Sequence, residues 1–154
     1  ANKETLKVLQ KKYDYCFFGG KGYVPILKGN LIKKKFFLSK KDTKITVQSF
    51  YVKHGQIKST AYIIGKLAYI SDVNNIFPED HKKLKGLKYL IIDCLKINSH
   101  PSHFNLEQAI IISKKINAKK TVLTNLHCDL DYSFLKKSLP KNICPAYDGM
   151  VLDL

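Results

Sequence analysis

Apolar and aromatic residues gather in three runs at the centre of the chain, 45–52, 61–64 and 67–72, separated by Lys53-His54-Gly55 and by Gly65-Lys66. Runs rich in β-branched and aromatic side chains and bounded by glycine predict strands joined by short turns. Residues 87–94 (Leu-Lys-Tyr-Leu-Ile-Ile-Asp-Cys) are almost continuously apolar, the pattern of a strand buried on both faces. The pattern then predicts a helix over 106–116, with Asn105 as its cap and Gln108 three residues on, the spacing of a capping box. A strand at 121–124 follows, then a helix capped by Asp131 that runs through Leu139 and is stopped by Pro140. A turn at 146–149 and a final strand at 150–154 complete the reading.

Ahead of the centre, Leu6 and Leu9 share one face of an amphipathic helix over 4–12. The aromatic run 13–18 ends in Gly19-Gly20-Lys21-Gly22, which lacks the GxxxxGK[ST] spacing of a phosphate loop and reads as a plain loop. An edge strand over 31–38 is guarded by Lys33, Lys34 and Lys35. Near 78 a short helical turn interrupts a loop. The order is helix, several strands, then βαβ-like alternation, without repeat or linker, so one α/β (α+β) domain over 1–154 is expected.

Composition narrows the function classes. With 154 residues and 45% hydrophobic content the chain can bury a core. No apolar run approaches the about 18 residues that cross a bilayer, and no basic-then-apolar leader opens the chain, so a cytoplasmic protein without membrane contact is expected. Cys16, Cys94, Cys128 and Cys144 lie far apart with no CxxC pair, which favours reduced thiols over a disulfide framework or zinc ribbon. The net charge of +15 raises nucleic acid as a partner. Yet all 27 basic residues are lysine, and the arginine suited to bidentate phosphate contacts is absent, so nucleic acid stays possible but not favoured. A positive field still draws small anionic substrates.

Four polar residues able to bind metal or move protons fall at element ends: His54, Asp72, His103 and His127. Singly each also reads as a turn former, cap or loop histidine. Asp93, closing the apolar run, is either a cap or an acid behind the site.

The motifs around these residues are His54-Gly55, "YISDV" at 69–73, "HPSHFNLEQA" at 100–109, "LTNLHCDLDY" at 123–132 and "AYDGM" at 146–150. In this order and spacing the sequence resembles the C-terminal half of a metallo-β-lactamase superfamily hydrolase. Within that superfamily it is most similar to the cyclic-phosphate phosphodiesterases of phosphonate breakdown, and more distantly to tRNase Z. The resemblance implies an αββα sandwich of which this chain is roughly the C-terminal half. It implies two divalent ions, Zn or Mn, with His54 a ligand of one, Asp72 bridging both and His127 a ligand of the second. His103 would be the catalytic residue, a general acid or a stabiliser of charge on phosphoryl oxygens. Many relatives carry His where this chain has Asn125, which moves the ligand to His127. The superfamily's HxHxDH motif is missing, since the first histidine is His54. A partial or empty metal site is therefore one expectation, and self-association through an uncovered sheet face another. The implied function is a metal-dependent phosphodiesterase acting on small cyclic or nucleotide-like substrates through metal-activated water. The alternatives are a truncated, non-catalytic remnant that self-associates, and tRNase Z-like RNA processing.

Overall fold

The computed structural model describes residues 1–40 and 42–154. Its contacts gather into two compact units, Ala1–Phe36 and Phe37–Leu154. The first holds helices α1 (Lys3–Lys12) and α2 (Asp14–Phe18). Asn2 caps α1 by accepting from the Thr5 amide at 2.8 Å, which satisfies one of the orphan N–H groups of the first turn. The aromatic run at 13–18 thus folds as a short helix, and the glycine-rich segment after it makes a tight turn closed by the Gly20–Tyr23 bridge. Among the described residues no helix is long and apolar enough to cross a membrane.

Seven strands form one sheet in sequence order: β1 (Lys35–Lys40), β2 (Thr43–His54), β3 (Ile57–Ile64), β4 (Leu67–Ile70), β5 (Tyr89–Asp93), β6 (Lys120–Thr124) and β7 (Ile143–Pro145). β2, β3 and β4 are antiparallel hairpin neighbours, with Phe50 opposite Ala61 and Ile63 opposite Ala68. From β4 to β7 the pairing is parallel, which demands crossovers. A 3₁₀ helix (Pro78–Leu84), α3 (Leu106–Ile116) and α4 (Tyr132–Ser138) supply them. Two antiparallel steps restore direction, so β2, β4, β5 and β6 all point the same way. Their C-terminal ends share one edge of the sheet, the edge where open α/β sheets place ligands.

One face of the sheet carries Phe50, Val52, Ile63, Ile70, Leu90, Ile92 and Leu123 into the core, against Leu84, Ala109 and Leu135 from the crossovers. Each fully buried Leu or Ile contributes about 1.5–3 kcal/mol relative to exposure. The opposite face carries Tyr51, Tyr62 and Tyr69, of which Tyr51 and Tyr69 stay exposed.

Two expectations need correction. The edge strand begins at Lys35, later than the apolar residue Leu31 suggested, because Leu31 lies exposed outside the ladder. No strand forms over 150–154. The last strand is β7, which takes the edge beside β6 through Thr121–Ile143 pairing. The chain then turns, with the Met150 amide on the Tyr147 carbonyl, leaving Val151 and Leu154 exposed without a ladder.

Candidate metal centre

The shared edge is assembled by backbone ties between segments distant in sequence. The Phe104 amide donates to the Val73 carbonyl, Leu95 to Phe104, Leu106 to Lys96 and His127 to Leu95, all within 2.8–3.0 Å. The loops after β4, β5 and β6 are thereby held against one another with their polar groups paired.

His54 closes β2, and its Nδ1 lies 2.7 Å from the Ser102 carbonyl. A carbonyl only accepts, so Nδ1 carries the proton and Nε2 keeps its lone pair for a ligand. Gly55 permits this approach. Its φ is +61°, and a Cβ there would stand 3.0 Å from the Ser102 Cβ. Asn74 clamps both loops by accepting from the Gly55 amide at 3.1 Å and donating to the Pro101 carbonyl at 2.9 Å.

Asp72 follows β4 in the left-handed region, φ 51°, with its carbonyl accepting from Ser59 Oγ at 2.6 Å. A non-glycine residue held there costs on the order of 1 kcal/mol, a strain that surrounding contacts must impose. Asn125 repeats the device after β6, φ 62°.

Asp93 ends β5 with 0% exposure and is the hub behind the site. Its Oδ2 accepts from His103 Nδ1 at 2.7 Å and from the Val73 amide at 3.1 Å, while Oδ1 accepts from Asn125 Nδ2 at 2.9 Å. The carboxylate makes His103 a donor at Nδ1 and leaves its Nε2 lone pair available, an arrangement typical of imidazoles that serve metals or move protons. The His103 ring stands 4.6 Å from that of His54, edge to face, and 5.1 Å from that of His100. Partial burial, followed by His103 and Lys96 nearby, holds the His100 pKa below the usual imidazole value. Beneath, burial and then the Asp93 charge push the Cys94 thiol up to about 12.

The ligand atoms of His54, Asp72 and His103 all lie within 4.8 Å of one another. Bonds of about 2.1 Å put two ligand atoms on one ion no more than about 4.2 Å apart, so the group has to close by roughly half an ångström to share one. Two imidazoles with free lone pairs and a carboxylate suit Zn²⁺ or Mn²⁺, and in donor chemistry the residues fit a divalent ion. His127 stands outside this group. It is exposed, with Nδ1 on Asp129 Oδ1 at 3.0 Å, although Asn125, two residues earlier, touches Asp93. Of the four residues singled out in the sequence, the fold brings three together. Asn74 and Ser102 were not singled out, because their partners are 19 to 48 residues away, and His100 was not, although Ser102 and His103 beside it are local. For Asp93 the sequence left two readings, a cap or an acid behind the site, and its bonds to His103, Val73 and Asn125 match the second.

Known proteins share this frame. The profile of the beta-lactamase superfamily domain matches residues 1–125. The chain is 34% identical over 109 residues to the octanoyltransferase of Porphyromonas gingivalis (strain ATCC BAA-308 / W83), a match over 69% of this chain and 22% of that protein. A diphosphatase from the PhnP family superposes with a TM-score of 0.84 at 27% identity, over 97% of this chain and 55% of the other. Human tRNase Z, short form, shares the fold at a TM-score of 0.58 and 18% identity, over 78% of this chain and 46% of the other. Zn(2+)-bound PqqB from Methylobacterium extorquens does so at 0.70 and 14%, over 100% and 64%. This chain therefore spans about a fifth of the curated relative and about half of the diphosphatase. With the profile covering most of its length and its fold shared nearly end to end, the chain belongs to the beta-lactamase superfamily and has the metallo-β-lactamase fold.

Proposed function

We propose that this chain carries part of the active site of a metal-dependent phosphodiesterase that acts on small phosphodiesters. The observation that carries the reading is the convergence of His54, Asp72 and His103 at the strand ends. The likeness to a diphosphatase, at 27% identity, supports a phosphoryl substrate. The octanoyltransferase match spans only 22% of that protein, and the chemistry proposed here is drawn from the site instead.

His54 and Asp72 would hold a divalent ion, and His127 would join by turning away from Asp129. When bound, such an ion supplies Lewis acidity toward a phosphoryl oxygen and lowers the pKa of a coordinated water. His103 faces the same space with Nδ1 fixed on Asp93, so its Nε2 lone pair would take up a proton, and the imidazolium so formed would meet charge on the phosphoryl oxygens or pass that proton to the leaving alcohol. Asp93 keeps that ring from rotating. The lysine-rich surface raises the local concentration of an anionic substrate.

The test is hydrolysis of bis-p-nitrophenyl phosphate with Zn²⁺ or Mn²⁺, together with metal content by plasma mass spectrometry after dialysis. Bound metal, and hydrolysis abolished by Asp72→Ala, are the expected results. Near-zero metal content and no hydrolysis with either ion would refute the reading and leave the non-catalytic alternative.

A further inference from the structure

His100 belongs to no part of the site reading above, yet its ring centroid lies 5.1 Å from that of His103. Its hydrogen bonds are opposite in sense to those of its neighbours. The Ser102 amide donates to His100 Nδ1 at 3.4 Å, and Ser102 Oγ lies 3.3 Å from the same atom. A backbone amide only donates, so Nδ1 is the acceptor and the proton of the neutral ring sits on Nε2. His54 and His103 instead donate at Nδ1, to the Ser102 carbonyl and to Asp93, and carry their lone pairs on Nε2. Two imidazoles thus offer lone pairs where a cation would sit, and the third offers an N–H beside them. Among the described residues nothing accepts from His100 Nε2.

Building on the phosphodiesterase reading, we propose that His100 is a substrate-binding residue whose Nε2–H donates to a phosphoryl oxygen. A cation site neutralises part of a phosphodiester's charge, and its remaining oxygens need donors held in place beforehand. The His100–His103 loop is suited to this. Pro101 has its φ restricted by its ring, its carbonyl is tied to Asn74, and Ser102 rests against Gly55.

The competing reading is that His100 only locks its loop through Ser102. Two substitutions separate them. In His100→Asn the amide oxygen can still accept from Ser102, but the distal donor is lost. In His100→Gln the amide NH₂ reaches the place of Nε2–H, while the contact to Ser102 is lost. The probes are inorganic phosphate, titrated calorimetrically into the zinc-loaded chain, and the KM for bis-p-nitrophenyl phosphate.

A lost hydrogen bond to a charged group predicts phosphate binding and KM about tenfold weaker in His100→Asn, with His100→Gln within about threefold of wild type and zinc content unchanged in both. Equal phosphate binding by His100→Asn and wild type overturns the inference. So does binding by His100→Gln as weak as that of His100→Asn, or a wild-type chain that binds no phosphate. Phosphate binding without hydrolysis by the wild type sinks the phosphodiesterase reading alone.

Discussion

Asp93→Asn isolates the charge behind the site while keeping the side chain's shape. The buried carboxylate accepts three hydrogen bonds, two on Oδ2 and one on Oδ1. An asparagine can place its oxygen at only one of those positions. With NH₂ at Oδ2 it would oppose the Val73 amide, which cannot turn, and the proton on His103 Nδ1. With NH₂ at Oδ1 it faces Asn125, which can flip, so this arrangement is the cheaper. The bonds to Val73 and His103 then persist but lose their ionic character, falling from about 1.5–3 to about 1 kcal/mol each. That loss of about 2 kcal/mol is offset in part because a buried charge no longer has to be desolvated. For a chain of this size about 2 kcal/mol corresponds to a fall in Tm of roughly 4–8 °C, and the offset makes that an upper bound. Function should fall further than stability. Removing an outer partner of a site imidazole typically lowers metal affinity or activity about 10–100-fold. Zinc affinity by competition with a chromophoric chelator and kcat/KM on bis-p-nitrophenyl phosphate are the readouts, beside a thermal melt. Asn125→Gly, which preserves the left-handed backbone and removes the Oδ1 contact together with a 3.4 Å approach to His103 Nδ1, should show a smaller loss. Zinc affinity and kcat/KM both within about twofold of wild type in Asp93→Asn, with Tm lowered, would refute the claim that Asp93 works through His103.

Gly55→Ala combines the strain of φ +61° with a Cβ 3.0 Å from Ser102. It should cost about 1–3 kcal/mol and lower Tm by several degrees, and an unchanged melt would refute the close approach of these loops. At pH 8, iodoacetamide should label the exposed Cys128 and spare Cys94, whose thiol is pushed up to about 12 by burial and then by Asp93 and Asp129. Equal labelling of the two in the native protein would contradict the buried position of Cys94. Self-association is proposed through the sheet face that exposes Tyr51 and Tyr69, and a monodisperse monomer in light scattering at micromolar concentration would sink it.

What the sequence disclosed divides along the range of the interactions involved. The third helix was legible to the residue because its determinants are local: Asn105 and Gln108 close both bonds of the capping box, and Asn117 ends the helix in the left-handed region. His54 and Asp72 were legible as candidates because a polar side chain at the end of an apolar run is itself a local signal. The final strand was misjudged because edge pairing depends on what β6 leaves open, and the three residues of β7 show too little pattern to outbid Met150, Val151 and Leu152. The site's proton map was not legible at all. Whether an imidazole offers a lone pair or an N–H at Nε2 is decided by the group that meets its Nδ1. For His54 that group is a carbonyl 48 residues away, for His103 a carboxylate 10 away, and for His100 an amide only two away. The local His100–Ser102 contact occurs in a loop whose position is set by Asn74 and Gly55, from two other loops of the same edge. Three histidines of identical covalent structure thus acquire two opposite chemical polarities from backbone geometry, so substitutions at Gly55 or Asn74 should disturb ligand binding although neither side chain belongs to the metal-ligand group.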